Sequence, residues 1–243
     1  MTISRRKMMT MATVAATGLP LLGTAIQKES KTKVLVAGGH PDDPETGCGG
    51  TMSLYRQIGH EVTALYLTGG EAGIPGTSHE DASRIRKKET EKACSILGAK
   101  PIFAGQIDGD TKVDVFWYKM ILEIVRSQAP DIVFTHWPVD THRDHRAISL
   151  LIYDAWIQMG RSFELFYFEV MSGAQTQHFP ATHYVDISAV ETIKREACYA
   201  HASQNPDEFY PYHEKMSKFR GMESGNVHAE AFVRQVRNKT SLS

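Results

Sequence analysis

The stretch KVLVAGGHPDDPETGCGGT, running from Lys33 to Thr51, decides how the rest of the chain is read. Its first five residues, Lys33 to Ala37, form a short, β-branched and almost uninterrupted apolar run, as expected of a strand buried on both faces. The next fourteen residues, Gly38 to Thr51, hold five glycines, one histidine and three acids: Asp42, Asp43 and Glu45. Two readings compete. Glycines after a strand suggest a phosphate cradle of the dinucleotide-binding kind, whereas a histidine among carboxylates suggests metal or acid–base chemistry.

The cradle fails on spacing and on charge. A dinucleotide fingerprint places its glycines as G-x-G-x-x-G where a helix opens, and Gly38-Gly39-His40 does not supply that pattern. Asp42 and Asp43 would also stand where an anionic pyrophosphate has to lie, and like charges there repel. Gly47, Gly49 and Gly50 are then backbone for a tight turn and a helix start, and the chemistry falls to His40, Asp42 and Asp43.

Outward from this join, strands and helices alternate. Glu61 to Leu67 is a second apolar run, stopping at Thr68-Gly69-Gly70. Between the two runs, Thr46 to Gly59 reads as a helix carrying Met52, Leu54, Tyr55 and Ile58. His79 to Leu97 is a helix with Ala82, Ile85, Ala93, Ile96 and Leu97 on one face and Gly98 as its cap. Val113 to Gln128 repeats the pattern and is closed by Pro130. Asp131 to Thr135 is a buried strand and Arg143 to Met159 another helix. This order implies right-handed βαβ units around a parallel sheet, a doubly wound α/β fold. The polar-aromatic segment Asn205 to Tyr212, with two prolines, reads as a loop. No repeat or linker follows residue 32, so 26–243 reads as one domain.

Composition narrows the classes. A chain of 243 residues with 42% hydrophobic residues can bury a sizeable core. A net charge of -1 leaves no electrostatic footprint for nucleic acid. Cys48, Cys94 and Cys198 are too few for a disulfide framework or a cysteine-rich metal site. Residues 1–25 differ from the rest: a basic start at Ser4-Arg5-Arg6-Lys7, an uncharged, weakly apolar run from Met8 to Leu22, then small residues at Gly23-Thr24-Ala25. That is the layout of an export signal, and the arginine pair resembles a twin-arginine signal. Gly18 and Pro20 break the apolar run, which is too short for a permanent span. The expectation is an exported protein, periplasmic or secreted, with no stable membrane span in the mildly acidic mature chain.

In open α/β sheets, ligands bind beyond the carboxyl ends of the strands. Three polar clusters fall there: His40-Pro41-Asp42-Asp43, Gly69-Gly70-Glu71, and HWPVDTHRDH from His136 to His145. The first and third are rich in metal-ligand types, and the fold brings their ends together. Histidine with aspartate suits zinc or ferrous iron, and three protein ligands with an open position mark a catalytic site. His40 and Asp43 are close enough on one loop to share an ion. His142 and His145 are both candidates for the third ligand, and the residues alone leave that choice open. His60, His79, His178 and His213 read as structural.

HPDD (His40–Asp43) followed by HRDH (His142–His145) resembles the PIG-L/LmbE family of zinc-dependent deacetylases, which remove the acetyl group from N-acetylglucosamine-containing compounds. Gly69-Gly70-Glu71-Ala72-Gly73, Arg86 with Glu89, Pro130-Asp131, Ser203-Gln204 and Ala229-Glu230-Ala231-Phe232 are also similar to that family. Pro44 departs from it, splitting the usual H-P-D-D-E and putting the role of Glu45 in question. The resemblance implies a Rossmann-like, three-layer sandwich with a mostly parallel sheet. It makes His40, Asp43 and His145 the zinc ligands, with iron as the alternative metal. Asp42 becomes the general base acting on a zinc-bound water, and a protonated His142 stabilises the oxyanion with Asp144 behind it. Glu71 and Arg86 are the candidate substrate contacts. Trp137 is either a stacking surface for a sugar ring or core, and His136 either a group behind the ligands or a strand end.

The implied partner is a small-molecule or glycolipid amino sugar, with no nucleic acid; the oligomeric state is not set by the sequence. One alternative is an amidase acting on a larger sugar conjugate with a longer acyl group. From another class, the alternative is a metal-dependent binding protein without turnover, although an acid beside the metal that does not ligate it gains nothing there.

Overall fold

The computed structural model describes residues 31–236. Its elements run β1 (Lys33–Gly38), α1 (Asp43–Gln57), β2 (Glu61–Thr68), α2 (His79–Leu97), β3 (Lys100–Gln106), α3 (Val115–Gln128), β4 (Ile132–His136), α4 (Arg143–Gln158), β5 (Glu164–Phe168) and β6 (His183–Asp186). There follow α5 (Glu191–Tyr199), a short 3-10 turn (Ala202–Gln204), α6 (Pro206–Ser224) and β7 (Ala229–Arg234). The strands form one sheet in the order β3-β2-β1-β4-β5-β7-β6. The first five in that order pair in parallel, and β7 and β6 continue the sheet antiparallel. Helices cover both faces, giving the expected three-layer, mostly parallel α/β architecture.

The apolar run of β1 is uninterrupted because both its faces are covered. Val34 and Val36 pack with Met52 of α1, with Ala93 and Leu97 of α2, and with Ala197 of α5. Leu35 and Ala37 point the other way, against Ile121 and Val125 of α3 and Ile148, Leu151 and Trp156 of α4. This is the period-two alternation of a strand with a core on each side. The winding direction reverses between β1 and β4, so the loops leaving their carboxyl ends diverge and open a crevice. The HPDD loop and the HWPVDTHRDH segment leave from those two ends.

Several expectations need correction. α1 starts at Asp43, three residues earlier than the sequence implied, and Gly47, Gly49 and Gly50 lie within it. They serve close packing rather than a turn: a Cβ on Gly47 would come within 2.4 Å of Phe168, and one on Gly50 within 2.5 Å of Ile187. Pro44 sits in the first turn of the helix, where backbone amides have no intrahelical partner and a missing N–H costs nothing. Asn205 to Tyr212 is not a loop. Pro206 opens α6, and the helix runs through Pro211 because Tyr210 and His213 are buried beneath it. The expected export signal, 1–25, lies outside the described residues. Among the described residues, no helix is long and apolar enough to cross a membrane.

Candidate metal centre

The loop after β1 is folded onto its own side chains. His40 N donates to Asp43 Oδ2 at 2.7 Å, and Asp43 N donates back to His40 O at 3.2 Å. Between them Asp42 has φ 103°, a left-handed backbone that costs a non-glycine residue about 1–3 kcal/mol. Such strain collects where a side chain must be aimed, and here adjacent carboxylates face different partners. Across the crevice, His142 caps α4: its Nδ1 accepts from Asp144 N at 3.3 Å, while its own N donates to Asp140 Oδ1 at 2.8 Å.

Three donor atoms converge. His40 Nδ1 lies 3.2 Å from Asp43 Oδ2 and 3.3 Å from His145 Nε2, and His145 Nε2 lies 3.4 Å from Asp43 Oδ2. Atoms bound to one tetrahedral zinc at about 2.0–2.2 Å stand about 3.3–3.5 Å apart, so the triangle has the edges of a metal site. Of the two histidines left open by the sequence, His145 places its nitrogen in that triangle together with Asp43. His142 also stands close enough to join His40 and His145 in a ligand group.

The far side of each candidate ligand is held as metal ligands usually are. His40 Nε2 faces Asp144 Oδ2 at 3.1 Å and Asp108 Oδ1 at 3.3 Å. Asp140 Oδ1 lies 3.2 Å from His145 Nδ1, near enough to pair although not aligned as a hydrogen bond. Asp144 is itself fixed by Gly109 N at 2.8 Å and Thr111 Oγ1 at 2.6 Å. It therefore stands behind His40 and within reach of His142 as well. His136 stands beside these candidates: its Nε2 is 3.2 Å from Asp43 Oδ2, close enough to form a ligand group with Asp43 and His145, and its ring stacks on His145 at 3.9 Å.

The field of these carboxylates calls for positive charge. Burial would lower His40 and His145, but Asp108, Asp144 and Asp43 hold His40 well above its ordinary value, and Asp43 with Asp140 lifts His145 to about 9. Burial would raise Asp43, yet His145 and His136 keep it well below the usual carboxylate range. A cation fits where the field otherwise retains protons. His142 behaves differently: burial, then His40 and His145, depress it, and its Nδ1 accepts from Asp144 N.

Asp42 faces Arg86, which donates to Asp42 Oδ2 at 2.8 Å and also to Pro41 O. Arg86 is 3% exposed, and it holds Asp42 while lining the cavity above it. Burial, opposed by Arg86 and aided by Asp43, pushes Asp42 up to about 6. Glu71 is likewise occupied. Its carboxylate accepts from Gly69 N, Ser83 Oγ and Asp108 N, pinning the β2 loop to the β3 loop. Trp137 packs edge-on against Tyr167 and Phe179.

A cavity of about 550 Å³ opens above the triangle, and His40, Asp42, Asp43, His142 and His145 all line it. Three neighbours lay outside the site residues assigned from the sequence. Asp108, at the end of β3, was hidden because that strand was not read. His213, set aside as structural, lines the same cavity with its Nδ1 buried and unpartnered. Glu45 is fully buried, accepting from Tyr66 Oη at 2.6 Å beside His201 at 3.3 Å. A strand-end acid followed by glycine, Asp108-Gly109, was the one available signal.

Fold and donor set define an α/β protein with a His/Asp group that could hold a metal ion at the switch point of its sheet. The chain belongs to the PIG-L family: the model of GlcNAc-PI de-N-acetylase matches residues 35–156. It is similar to diacetylchitobiose deacetylase of Thermococcus kodakarensis, 33% identical over 82% of this chain and 81% of the relative. Among solved structures, N,N'-diacetylchitobiose deacetylase from Pyrococcus horikoshii shares the fold with a TM-score of 0.75, at 24% identity over 84% of each chain. The 4-carboxy-2-hydroxymuconate hydratase GalB from Pseudomonas putida shares it too, with a TM-score of 0.76, at 20% identity over 87% of this chain and 100% of that one. A hydratase on the same fold leaves the choice of reaction to the site residues.

Proposed function

We propose that the chain is a metal-dependent deacetylase that hydrolyses the N-acetyl group of an N-acetylglucosamine-type amino sugar or its conjugate. The observation that carries this is the triangle of His40 Nδ1, Asp43 Oδ2 and His145 Nε2, with edges of 3.2–3.4 Å, beside an Asp42 that belongs to no ligand group. The family model and the diacetylchitobiose deacetylase relative support the substrate class. Zinc, or ferrous iron in its place, supplies Lewis acidity when bound and brings the pKa of water towards about 7.

The chain's own groups do the rest. Asp42, tethered by Arg86, takes the proton of the attacking water and passes it to the departing amine. His142 offers Nε2–H to the developing oxyanion, with its tautomer set by the amide that occupies Nδ1. Asp144 and Asp108 orient His40, and Asp140 orients His145. Export through residues 1–25 is part of the proposal, checked by the mass and compartment of the mature chain.

The test is free-amine release from a panel of N-acetylated sugars, with and without chelator, by the unsubstituted protein and by Asp42→Asn. Release should stop with chelator and fall steeply in the variant. Release untouched by either would sink the reading.

A further inference from the structure

The cavity above the ligands has two unlike walls, and strand order sets them. On the β2 and β3 side stand Arg86, Asp108 and Gln204, the last tied to this side by donating from Nε2 to Gly73 O at 3.2 Å. On the β5 side stand Val170 and Met171, just beyond that strand, together with Phe209 of α6. The polar exceptions on this second side are Thr46, Gln175 and His213.

Asp42 decides which half of the amide meets which wall. Hydrolysis breaks the C–N bond, adds the water oxygen to the carbonyl carbon and moves a proton to the nitrogen. The carboxylate that carries this proton is held on the β2 side by Arg86 at 2.8 Å. The nitrogen and its sugar therefore face Arg86, Asp108 and Gln204, whose donors and acceptors suit hydroxyls. The acyl chain, on the other flank of the carbonyl, faces the apolar wall.

That wall is wired to the reacting centre. Val170 N donates to Thr176 Oγ1 at 3.0 Å, and Thr176 Oγ1 donates to Asp140 Oδ2 at 3.0 Å. The other oxygen of Asp140 stands 3.2 Å from His145 Nδ1. Met171 holds a left-handed backbone, φ 43°, in a turn closed by Ala174 N and Gln175 N, which donate to its carbonyl at 2.9 and 2.8 Å. A subsite fixed to its metal ligands in this way can measure chain length.

We propose that Val170, Met171 and Phe209 form an acyl subsite that admits straight-chain acyl groups longer than acetyl. The inference rests on the deacylase reading above. At about 550 Å³ the cavity falls within the range that encloses drug-sized ligands, and its apolar wall spans three side chains where one methyl would meet a single one.

The experiment compares kcat/KM of the zinc-loaded protein on glucosamine carrying N-acetyl, N-propionyl or N-butyryl groups, read as amine release. The unsubstituted protein should turn over all three. Phe209→Ala and Met171→Gly each remove apolar contact from the longer chain and should each lower the butyryl-to-acetyl ratio about tenfold, the scale on which a pocket senses a methylene; a ratio that rises overturns the subsite. Glycine at 171 suits the left-handed backbone, so the second variant keeps the fold if the first loosens α6. Asp108→Asn should lower all three substrates alike. A ratio unmoved in both wall variants, a ratio moved by Asp108→Asn instead, or release from the acetyl compound alone overturns the subsite. Release from none of the three overturns the activity itself, and the subsite with it.

Discussion

Two buried charge clusters touch α1, and they are built on opposite plans. Midway along the helix, Glu230 of β7 accepts from Gly50 N at 2.9 Å, Thr51 N at 2.8 Å and Lys194 Nζ at 2.6 Å. Every charge there has its counter-charge, and Glu230 and Lys194 are each 4% exposed. At the start of the helix the donors instead face one another: His40, Asp43 and His145 meet at 3.2–3.4 Å with no lysine or arginine among them. A closed cluster clamps. An open one holds an ion and leaves room to exchange a ligand. The difference lies in whether the counter-charge is a permanent lysine or a pair of histidines whose protons an ion can replace, and the two clusters fail differently when broken.

The largest effect is expected at the open cluster. His40→Ala should take metal content from one ion per chain to near zero and abolish amine release, measured by metal analysis after dialysis alongside the turnover assay. Asp42→Asn should keep the metal and lower kcat by about 10²–10⁴, the usual weight of a general base. At the closed cluster, Glu230→Ala strands a buried lysine and should cost about 3–5 kcal/mol in urea unfolding. Metal content per folded chain should not change in that variant. Asp140→Asn tests the residue behind His145 and should weaken zinc about 10–100-fold in a competition titration while the fold persists. The smallest effect is on pH. Asp42 works as a base only when ionised, and burial sets it at about 6. Activity should thus be full above that value and fall as pH drops through it, in a profile of kcat/KM.

The candidate donors could be read from the sequence because HPDD and HRDH each group them within a few residues, on loops whose position the alternation of apolar runs had already fixed. Partners brought in by the sheet could not. Arg86 meets Asp42 across 44 positions of chain, and its charge reads as a surface helix residue until β2 is laid beside β1. Asp108 depends on β3, whose KPIFAGQ lacks a clear pattern because the strand is half-exposed at the sheet edge. α6 was hidden by Pro206 and Pro211, which local propensity counts against a helix but which burial of Tyr210 and His213 overrides. The family-like fragments that carry no chemistry turned out to be clamps. Glu89 accepts from Ser203 N and Oγ at 2.7 and 2.6 Å, as Glu230 does from α1. Pro44 is answered in the same way, as a first-turn residue that moves Glu45 onto Tyr66 and away from the cavity.

The central claim is that His40, Asp43 and His145 hold one cation on which amide hydrolysis depends. Stepwise return of zinc to the metal-free protein, followed by amine release from an N-acetylglucosamine-type substrate, tests it most directly. Activity should rise in proportion to added metal and level off at one equivalent per chain. Full activity in the metal-free protein, or a rise that needs two equivalents, would contradict it.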